Sequence, residues 1–301
     1  MVDQQLPEIP DFVIAALMRS DYSRGDAKYS PSNLSSPPQI RVLMQRHPHA
    51  LPRDPWKRIH SVAGSAFHAW VIDPLPRDRY LVEERQYATV QVDGREVAVS
   101  GQLDVFDLHD ATLYDIKTTS TWNHAEGPKP EWTWQTNVYA WMLRQQGLRV
   151  ERIRVLAFYL RDWSESRIGH EDYPPIPCWP WEIPILPDGE VVAWLQDRIA
   201  RHEWAETRPD AELPPCTPDE RWMTADDWVV QKRDSDRPWK HFATQAEAEA
   251  FHGNMRPVTA QQYEVRHIPP TPKRCQQWCP VASVCHQYQR ELGGAEGQGC
   301  S

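Results

Sequence analysis

Residues 101–117 read Gly-Gln-Leu-Asp-Val-Phe-Asp-Leu-His-Asp-Ala-Thr-Leu-Tyr-Asp-Ile-Lys. This stretch predicts two adjacent strands around a turn at residues 109–111, with Asp104 on the first strand and Asp115 on the second. Successive side chains of a strand alternate between faces, so Asp115 and Lys117 should point the same way. If the two strands pair, two carboxylates and one ammonium group meet at one place.

Such a group of charges has two interpretations. Two carboxylates this close repel each other unless a cation lies between them, and oxygen ligands with open positions suit Mg²⁺ or Mn²⁺. A lysine beside such an ion can orient a water molecule or stabilise charge on a phosphate. The plainer interpretation is an antiparallel hairpin with a charged outer face, and an isolated Asp-x-Lys pattern favours it.

Two further motifs flank this stretch, each on a predicted helix. Gly64-Ser-Ala-Phe-His68 lies within residues 56–72, and Gln135-Thr-Asn-Val-Tyr139 lies within residues 131–146. The motif residues in each pair are four apart and share a helix face. Gly101-x-x-Asp104 and Asp115-Ile116-Lys117 lie between these two motifs. The four motifs, in their order along the chain, resemble the PD-(D/E)XK nuclease superfamily in its RecB-like branch. The resemblance covers roughly residues 56–162. Within the branch, the chain is similar to CRISPR-associated and phage RecB-like exonucleases.

The resemblance implies a fold and a metal site. The fold is α/β (α+β), a restriction-endonuclease-like core whose central mixed sheet is flanked by helices. Asp104 and Asp115 would be the carboxylate ligands of Mg²⁺ or Mn²⁺, with the Ile116 carbonyl as a further ligand. By the same resemblance His68 is a metal ligand, although a histidine on a mostly apolar helix is otherwise a core residue.

The remaining motif residues would act around that ion. Lys117 would activate or position the attacking water and stabilise the charge that develops on the phosphate. Gln135 and Tyr139 would steady Lys117 or contact the substrate strand; their alternative is ordinary helix packing. Glu83 or Glu84 would add a carboxylate.

Hydrophobic patterning predicts three parts of the chain. Residues 1–216 form the nuclease core with an irregular N-terminal region, residues 217–270 a small ββαβ insertion, and residues 271–301 a C-terminal cysteine segment that packs on the core. Asp93-Gly94 is a strong hairpin signal, so it should join the strands of the core. The core is also predicted to contain strands at residues 79–92, 95–108, 111–118 and 150–161 and a helix at residues 187–206.

Cysteines provide a second candidate metal site. Cys275, Cys279 and Cys285 follow a C-x₃-C-x₅-C pattern, and Cys216 is the best fourth ligand. Four thiolates suit tetrahedral zinc or an iron–sulfur cluster. Several RecB-like nucleases carry a four-cysteine [4Fe–4S] cluster, but here the first spacing is three and the isolated cysteine follows the nuclease motifs. An iron–sulfur cluster, zinc and no metal therefore all stay open. Cys178 and Cys300 are predicted to be bystanders.

Composition excludes some classes of protein. No apolar run approaches the roughly 18 residues that a membrane span needs, and the N-terminus shows neither a basic nor an apolar signal region. We therefore expect a cytoplasmic protein, in the host cytoplasm if phage-encoded, without a membrane partner. The net charge of −9 is unusual for a nucleic-acid enzyme. Basic residues concentrated in the first third either form one side of a DNA groove or are scattered solvated charges: Arg41, Arg46, Arg53, Lys57, Arg58, Arg77, Arg79 and Arg85.

The sequence thus predicts a metal-dependent deoxyribonuclease, a phosphodiester hydrolase, and within that class an exonuclease of recombination, repair or phage DNA metabolism. Its partners would be DNA and a recombination or annealing protein. Most tryptophans are core residues, but Trp122, Trp132 and Trp134 flank the site and could instead offer rings on which unpaired bases stack. The alternatives are a non-catalytic nucleic-acid-binding or scaffolding protein on a nuclease fold, and a DNA endonuclease.

Overall fold

The chain divides into two compact units. The computed structural model describes residues 10–19, 27–51 and 54–296, with side chains up to residue 292; Arg53 and Cys300 lie outside this part. The first unit spans residues 1–38 and 52–207, and the second spans residues 39–51 and 208–301. The three-part division at residues 216 and 270 stays a prediction.

Both units contain helices and strands. In chain order the helices are α1 (Asp11–Met18), α2 (Pro31–Ser35), α3 (Pro38–Arg46), α4 (Ile59–Ile72), α5 (Asn123–Glu126), α6 (Pro130–Gln145), α7 (Asp188–Glu206), α8 (Gln245–Gly253), α9 (Pro257–Ala260) and α10 (His286–Glu296). The strands are β1 (Tyr80–Val82), β2 (Arg85–Val92), β3 (Arg95–Gln102), β4 (Val105–Asp107), β5 (Thr112–Thr118), β6 (Arg152–Phe158), β7 (Cys178–Ile183), β8 (Asp227–Lys232), β9 (Pro238–Phe242) and β10 (Tyr263–Ile268).

A mixed sheet forms the centre of the first unit. In the described residues its strand order is β1-β4-β5-β6-β7, with β5 and β6 parallel and the other neighbours antiparallel. The parallel pair needs a crossover, which α5 and α6 provide. Helices flank this sheet, so the predicted fold class, a restriction-endonuclease-like core with a central mixed sheet, is confirmed.

Both faces of the sheet are buried, and successive side chains of each strand point to opposite faces. Leu113 of β5 packs in one cluster with residues of α6 and α7, such as Leu143 and Leu195. Ile116, three positions later and therefore on the opposite face, packs with Ile72 at the end of α4. The sheet thus holds α4 on one side and α6 with α7 on the other.

The two long strands that were predicted before the central strand are wrong in their extent. Each is divided in two, because the chain passes from a separate β2–β3 hairpin into the central sheet. The first break lies at Glu83, whose φ of 51° is left-handed, and the second lies at Leu103-Asp104. The hairpin turn at Asp93-Gly94, with φ values of 48° and 76°, is where the sequence predicts it.

Several elements escaped the sequence prediction, among them α2, α3 and β7. Helices α2 and α3 occupy a region that was predicted to be irregular, and both begin with proline, a residue that suits the first helical position. Strand β7 reads Cys-Trp-Pro-Trp-Glu-Ile and contains a proline. Proline is tolerated in an edge strand, and β7 is at the edge of the sheet.

The second unit contains a small antiparallel sheet with strand order β10-β8-β9. Helix α8 follows β9 and begins at a capping box, in which Thr244 and Glu247 satisfy each other's backbone N–H groups. The order of elements is the predicted ββαβ with the short helix α9 added before β10. Among the described residues of both units, no helix combines the length and the apolar character needed to cross a membrane.

Candidate active site

The pairing of β4 with β5 brings Asp104 beside Asp115. Val105 is opposite Tyr114, so Asp104, one residue before β4, lies next to the following position of β5. The backbone N–H of Ile116 donates a hydrogen bond to Asp104 Oδ2 at 2.7 Å. This bond fixes one carboxylate oxygen and leaves the second directed towards other groups.

Asp115 and Lys117 lie on the same face of β5. Lys117 Nζ is 2.7 Å from Asp115 Oδ2, and the Asp115 side chain is only 1% exposed. Burial raises the pKa of Asp115 to about 6, while the Lys117 ammonium opposes this shift and the Asp104 carboxylate adds to it. Burial works to lower the pKa of Lys117, but the carboxylates of Asp115 and Asp104 outweigh burial, so this pKa is raised.

His68 reaches the same carboxylates from α4. Its Nε2 is 3.1 Å from Asp104 Oδ1, and its Nδ1 is 3.5 Å from Glu83 Oε1. The Asp104 carboxylate raises the pKa of His68, burial opposes that, and Glu83 contributes further in the same direction as Asp104. Gly64, one turn earlier, permits this approach, because a Cβ there would lie 3.0 Å from Thr118 Oγ1 at the end of β5.

The sequence left open whether Glu83 or Glu84 belongs to the site, and the structure brings Glu83 to it. Its backbone N–H donates to the Asp104 carbonyl at 2.9 Å, and its carboxylate faces His68. Its left-handed φ places it at the change of direction between β1 and β2. A local sequence pattern cannot distinguish two consecutive glutamates at such a break.

Gln135 and Tyr139 support the same region from α6. Gln135 Nε2 donates to the Tyr139 hydroxyl at 3.1 Å. The Tyr139 ring lies directly on Gly101, where a Cβ would be 2.3 Å from Tyr139 Cε1. The glycine of the Gly-x-x-Asp motif is therefore required by the ring of the Gln-x-x-x-Tyr motif.

A cleft of about 240 Å³ opens beside these groups. Its lining includes the motif residues Gly101, Asp104, Gln135 and Tyr139. The other lining residues lie outside the four motifs and are all polar or charged: Glu83, Arg85, Gln102, Ser30 and Ser32. Ser30 and Ser32 come from the start of α2, a helix that the sequence prediction missed, so no motif spacing indicated them.

The described basic residues of the first third of the chain lie in both units. Arg41 and Arg46 belong to the second unit, and Arg46 Nη1 is 2.7 Å from Asp210 Oδ1 there. In the first unit, Arg79 pairs with Asp107, and Arg58 donates to backbone carbonyl groups. Arg85 is the member of the predicted set that lines the cleft.

The three tryptophans near the site differ in their surroundings. Trp132 is buried in the core at 7% exposure, and Trp134 stacks on Trp194 with a ring-centroid distance of 5.0 Å. Trp132 is therefore a core residue, and Trp194 covers one face of the Trp134 ring. Trp122, on the loop after β5, is 64% exposed.

The four predicted cysteine ligands are neighbours within the second unit, as free thiols. Burial raises the pKa of Cys216 to about 12, and among the smaller contributions are those of Cys285 and Cys279. Burial also raises the pKa of Cys279, with Cys275 and Cys285 among its neighbours. Cys178 is in the first unit, on β7.

No group of three or more His, Cys, Asp or Glu side chains in residues 10–19, 27–51 and 54–296 is arranged to hold a metal ion. At the acidic site the carboxylates instead contact Lys117 and His68. The ligand types at this site still suit a divalent cation. Apart from Lys117, no hydrogen-bond donor in this part of the chain satisfies the buried carboxylate of Asp115.

The sequence matches a known protein family over most of its length. A family model of the PD-(D/E)XK nuclease superfamily matches residues 43–286, which is most of the chain. The chain belongs to the PD-(D/E)XK nuclease superfamily. The match includes all four motifs of the candidate site and the predicted cysteine ligands, and it confirms the resemblance seen in the sequence. No curated protein matches the chain.

Solved structures resemble this superfamily member at low sequence identity. SSO0001 is 13% identical with a TM-score of 0.46, and the alignment covers 63% of this chain and 84% of that one. An alkaline exonuclease, LHK-Exo from Laribacter hongkongensis, is 16% identical with a TM-score of 0.29, over 65% and 95% of the two chains. Its complex with dAMP is 15% identical with a TM-score of 0.27, over 64% and 94%. These values are too low to support an inference about function.

Proposed function

We propose that the protein is a metal-dependent deoxyribonuclease that hydrolyses phosphodiester bonds, and within that class an exonuclease of recombination, repair or phage DNA metabolism. The observation that carries this proposal is the meeting of Asp104, Asp115, Lys117 and His68 at one place in a member of a nuclease superfamily. A buried acid beside a second acid is costly for folding, so its presence favours a chemical role.

Asp104, Asp115, His68 and the Ile116 carbonyl would hold the Mg²⁺ or Mn²⁺ ion. When bound, such an ion lowers the pKa of its water and neutralises charge on the phosphate. Asp104 is oriented for this by the Ile116 N–H, which donates to Oδ2, while Oδ1 faces His68.

The remaining residues act on the substrate. Lys117, whose ammonium group is held by Asp115, stabilises the negative charge that develops on the attacked phosphate. Arg85 lines the cleft beside Asp104 and binds a phosphate of the substrate strand. Gln135 and Tyr139, which are hydrogen-bonded to each other, line the cleft and contact that strand.

We also propose that Cys216, Cys275, Cys279 and Cys285 bind a [4Fe–4S] cluster or, alternatively, a structural Zn²⁺. Four free thiols that lie near one another, Cys285 buried and the other three half-buried, support this proposal. The site would stabilise the second unit and take no part in the hydrolysis.

The test is a nuclease assay on the purified full chain with Mg²⁺ or Mn²⁺ and linear, circular, single-stranded and double-stranded DNA. We expect cleavage of linear DNA that EDTA stops. Asp115→Asn and Lys117→Ala should each reduce the rate by at least about 100-fold, whereas Lys28→Ala, at a surface ion pair with Glu206, should not.

Two outcomes would favour the alternatives. Cleavage of circular DNA would indicate an endonuclease. DNA binding without cleavage under any of these conditions would indicate a non-catalytic binding protein.

A further inference from the structure

Gln287 connects the isolated cysteine to the C-terminal cysteine triad. It lies two residues after Cys285, at the start of α10. Its side-chain Oε1 accepts a hydrogen bond from the Cys216 N–H at 2.9 Å, and its Nε2 donates to the Cys216 carbonyl at 3.0 Å. One amide thus satisfies both backbone groups of Cys216, as a neighbouring strand would.

The surroundings of Cys216 make this pair of bonds important. The residue lies in Pro214-Pro-Cys-Thr-Pro218, outside any helix or strand, so no regular element fixes its backbone. Its thiol donates to the Oε1 of Gln39, which is 2% exposed, at 3.3 Å. That contact holds the thiol of Cys216, and Gln287 holds its backbone.

A second link from α10 leads towards the triad. Glu291 of α10 pairs with the Arg221 guanidinium, and the Arg221 side chain lies near Cys275. Helix α10 therefore carries one residue that reaches Cys216 and one that reaches Cys275 through Arg221. Groups that orient ligands in this way commonly change metal affinity by about 10–100-fold when they are removed.

We propose that Gln287 is a positioning residue for a metal site made of Cys216, Cys275, Cys279 and Cys285. By fixing the backbone of Cys216 before metal binds, it removes part of the entropy cost of closing the loop between Cys216 and the triad. The inference rests on the cysteine site proposed above and is independent of the nuclease reaction.

The experiment compares the full-length protein with three variants on α10 and with Cys216→Ser and Cys279→Ser, each of which removes one proposed ligand. Gln287→Ala removes both bonds to Cys216, and Gln287→Glu keeps the acceptor but loses the donor. Gln289→Ala is the matched control, because Gln289 lies on the same helix and its side chain donates to the Ala282 carbonyl rather than to Cys216. Iron, zinc and acid-labile sulfide are measured per chain, followed by the loss of metal to a competing chelator.

We expect the wild type and Gln289→Ala to hold metal equally well, Gln287→Ala to bind it about 10–100-fold more weakly, and Gln287→Glu to lie between them. Titration of the reduced, metal-free chains with Co²⁺ provides a readout that a general loss of stability would not change. The cobalt–thiolate absorption should weaken in Gln287→Ala as it does in Cys216→Ser.

Two results would overturn the inference, and they differ from each other. Equal metal affinity in Gln287→Ala and the wild type would leave the cysteine site in place but remove the positioning role. A wild type that binds no more metal than Cys279→Ser would remove the site and the inference together. Nuclease assays on the same preparations show separately whether the proposed reaction occurs, since loss of activity alone leaves the metal result standing.

Discussion

Asp115 occupies a position where a carboxylate is unfavourable for folding. It is 1% exposed and lies beside a second carboxylate, and Lys117, with a smaller contribution from His68, offsets the cost of burying it. Buried ion pairs of this kind add little net stability, because desolvation consumes most of the Coulomb attraction. A residue that contributes so little to stability and lies in a nuclease-superfamily motif is best explained by chemistry.

Gly101 provides a prediction at the same scale. A methyl group there would be 2.3 Å from Tyr139 Cε1, and that ring is buried at 4% exposure, so it has no room to move away. Gly101→Ala should therefore lower the free energy of unfolding by about 1–3 kcal/mol and displace the Tyr139 hydroxyl from Gln135. Urea denaturation measures the first effect and the cleavage rate measures the second.

Gly189→Ala is the control for that change. Gly189 lies in α7 and a Cβ there meets nothing within 4 Å, so the substitution should leave stability unchanged or raise it slightly. Equal behaviour of the two alanine variants would show that Tyr139 is not held against Gly101.

The lowered pKa of Asp107 should make the stability of the protein depend on pH. The Arg79 guanidinium, opposed by burial and helped by the N–H groups of His109 and Asp110, lowers the pKa of Asp107 to about 2. Since the folded-state pKa is below the unfolded-state value of 3.8, the stabilisation is complete above that value and is lost as the pH falls towards 2. Asp107→Asn should lower the free energy of unfolding at pH 7 by about 1–3 kcal/mol and flatten its dependence between these pH values.

Denaturation curves at several pH values between 2 and 7 check this prediction. Asp197→Asn is the comparison, because Asp197 forms an exposed ion pair with Arg201 and should change stability by less than about 1 kcal/mol. A pH profile of Asp107→Asn that is parallel to that of the wild type would exclude Asp107 as the source.

At the scale of elements, the breaks in two strands create the site. The chain leaves the β2–β3 hairpin at Glu84 and Leu103, where the Leu103 N–H donates to the Glu84 carbonyl at 3.1 Å. Next to this point Glu83 and Asp104 are joined by a backbone bond of their own. Two continuous strands, as predicted, would place these acids in a regular ladder; the double break turns both towards His68.

The loop after β5 is anchored by one acid of the β6–β7 connection. Asp162 accepts from the Thr121 N–H at 3.0 Å, from the Thr121 hydroxyl at 3.1 Å and from the Ser120 hydroxyl. Asp162→Ala should therefore free the loop that carries Trp122, lower stability by about 1–3 kcal/mol, and speed hydrogen exchange at residues 119–124.

Hydrogen exchange followed by mass spectrometry measures this, with Asp78→Ala as the control. Asp78 is exposed in the turn before β1, so its replacement should leave the exchange of residues 119–124 unchanged. Unchanged exchange in Asp162→Ala as well would mean that other contacts, such as the bond from the Thr119 N–H to the Phe158 carbonyl, are sufficient to hold the loop.

At the scale of the whole molecule, the two candidate sites belong to different units. His68, Asp104, Asp115 and Lys117 are all in the first unit, and the four predicted cysteine ligands are all in the second. Each site is therefore complete within one compact unit. This separation is why the metal content of the second unit and the nuclease activity of the first provide independent tests.

The sequence by itself determined the fold class, the superfamily and the residues that meet at the acidic site. It succeeded because these depend on short-range regularities: the alternation of a strand places Asp115 and Lys117 on one face, and the turn of a helix aligns Gln135 with Tyr139. The positions of α6, β6 and α7 also follow from their local hydrophobic patterns to within a few residues.

Only the tertiary structure decided which other residues join the site. It selected Glu83 over Glu84, buried Trp132, brought Ser30 to the cleft and placed Gln287 on Cys216. Each of these outcomes depends on contacts between residues far apart in the chain, at strand breaks or irregular segments where no period connects one side chain with the next. Local patterns therefore predict the motifs, whereas packing between elements determines what surrounds them.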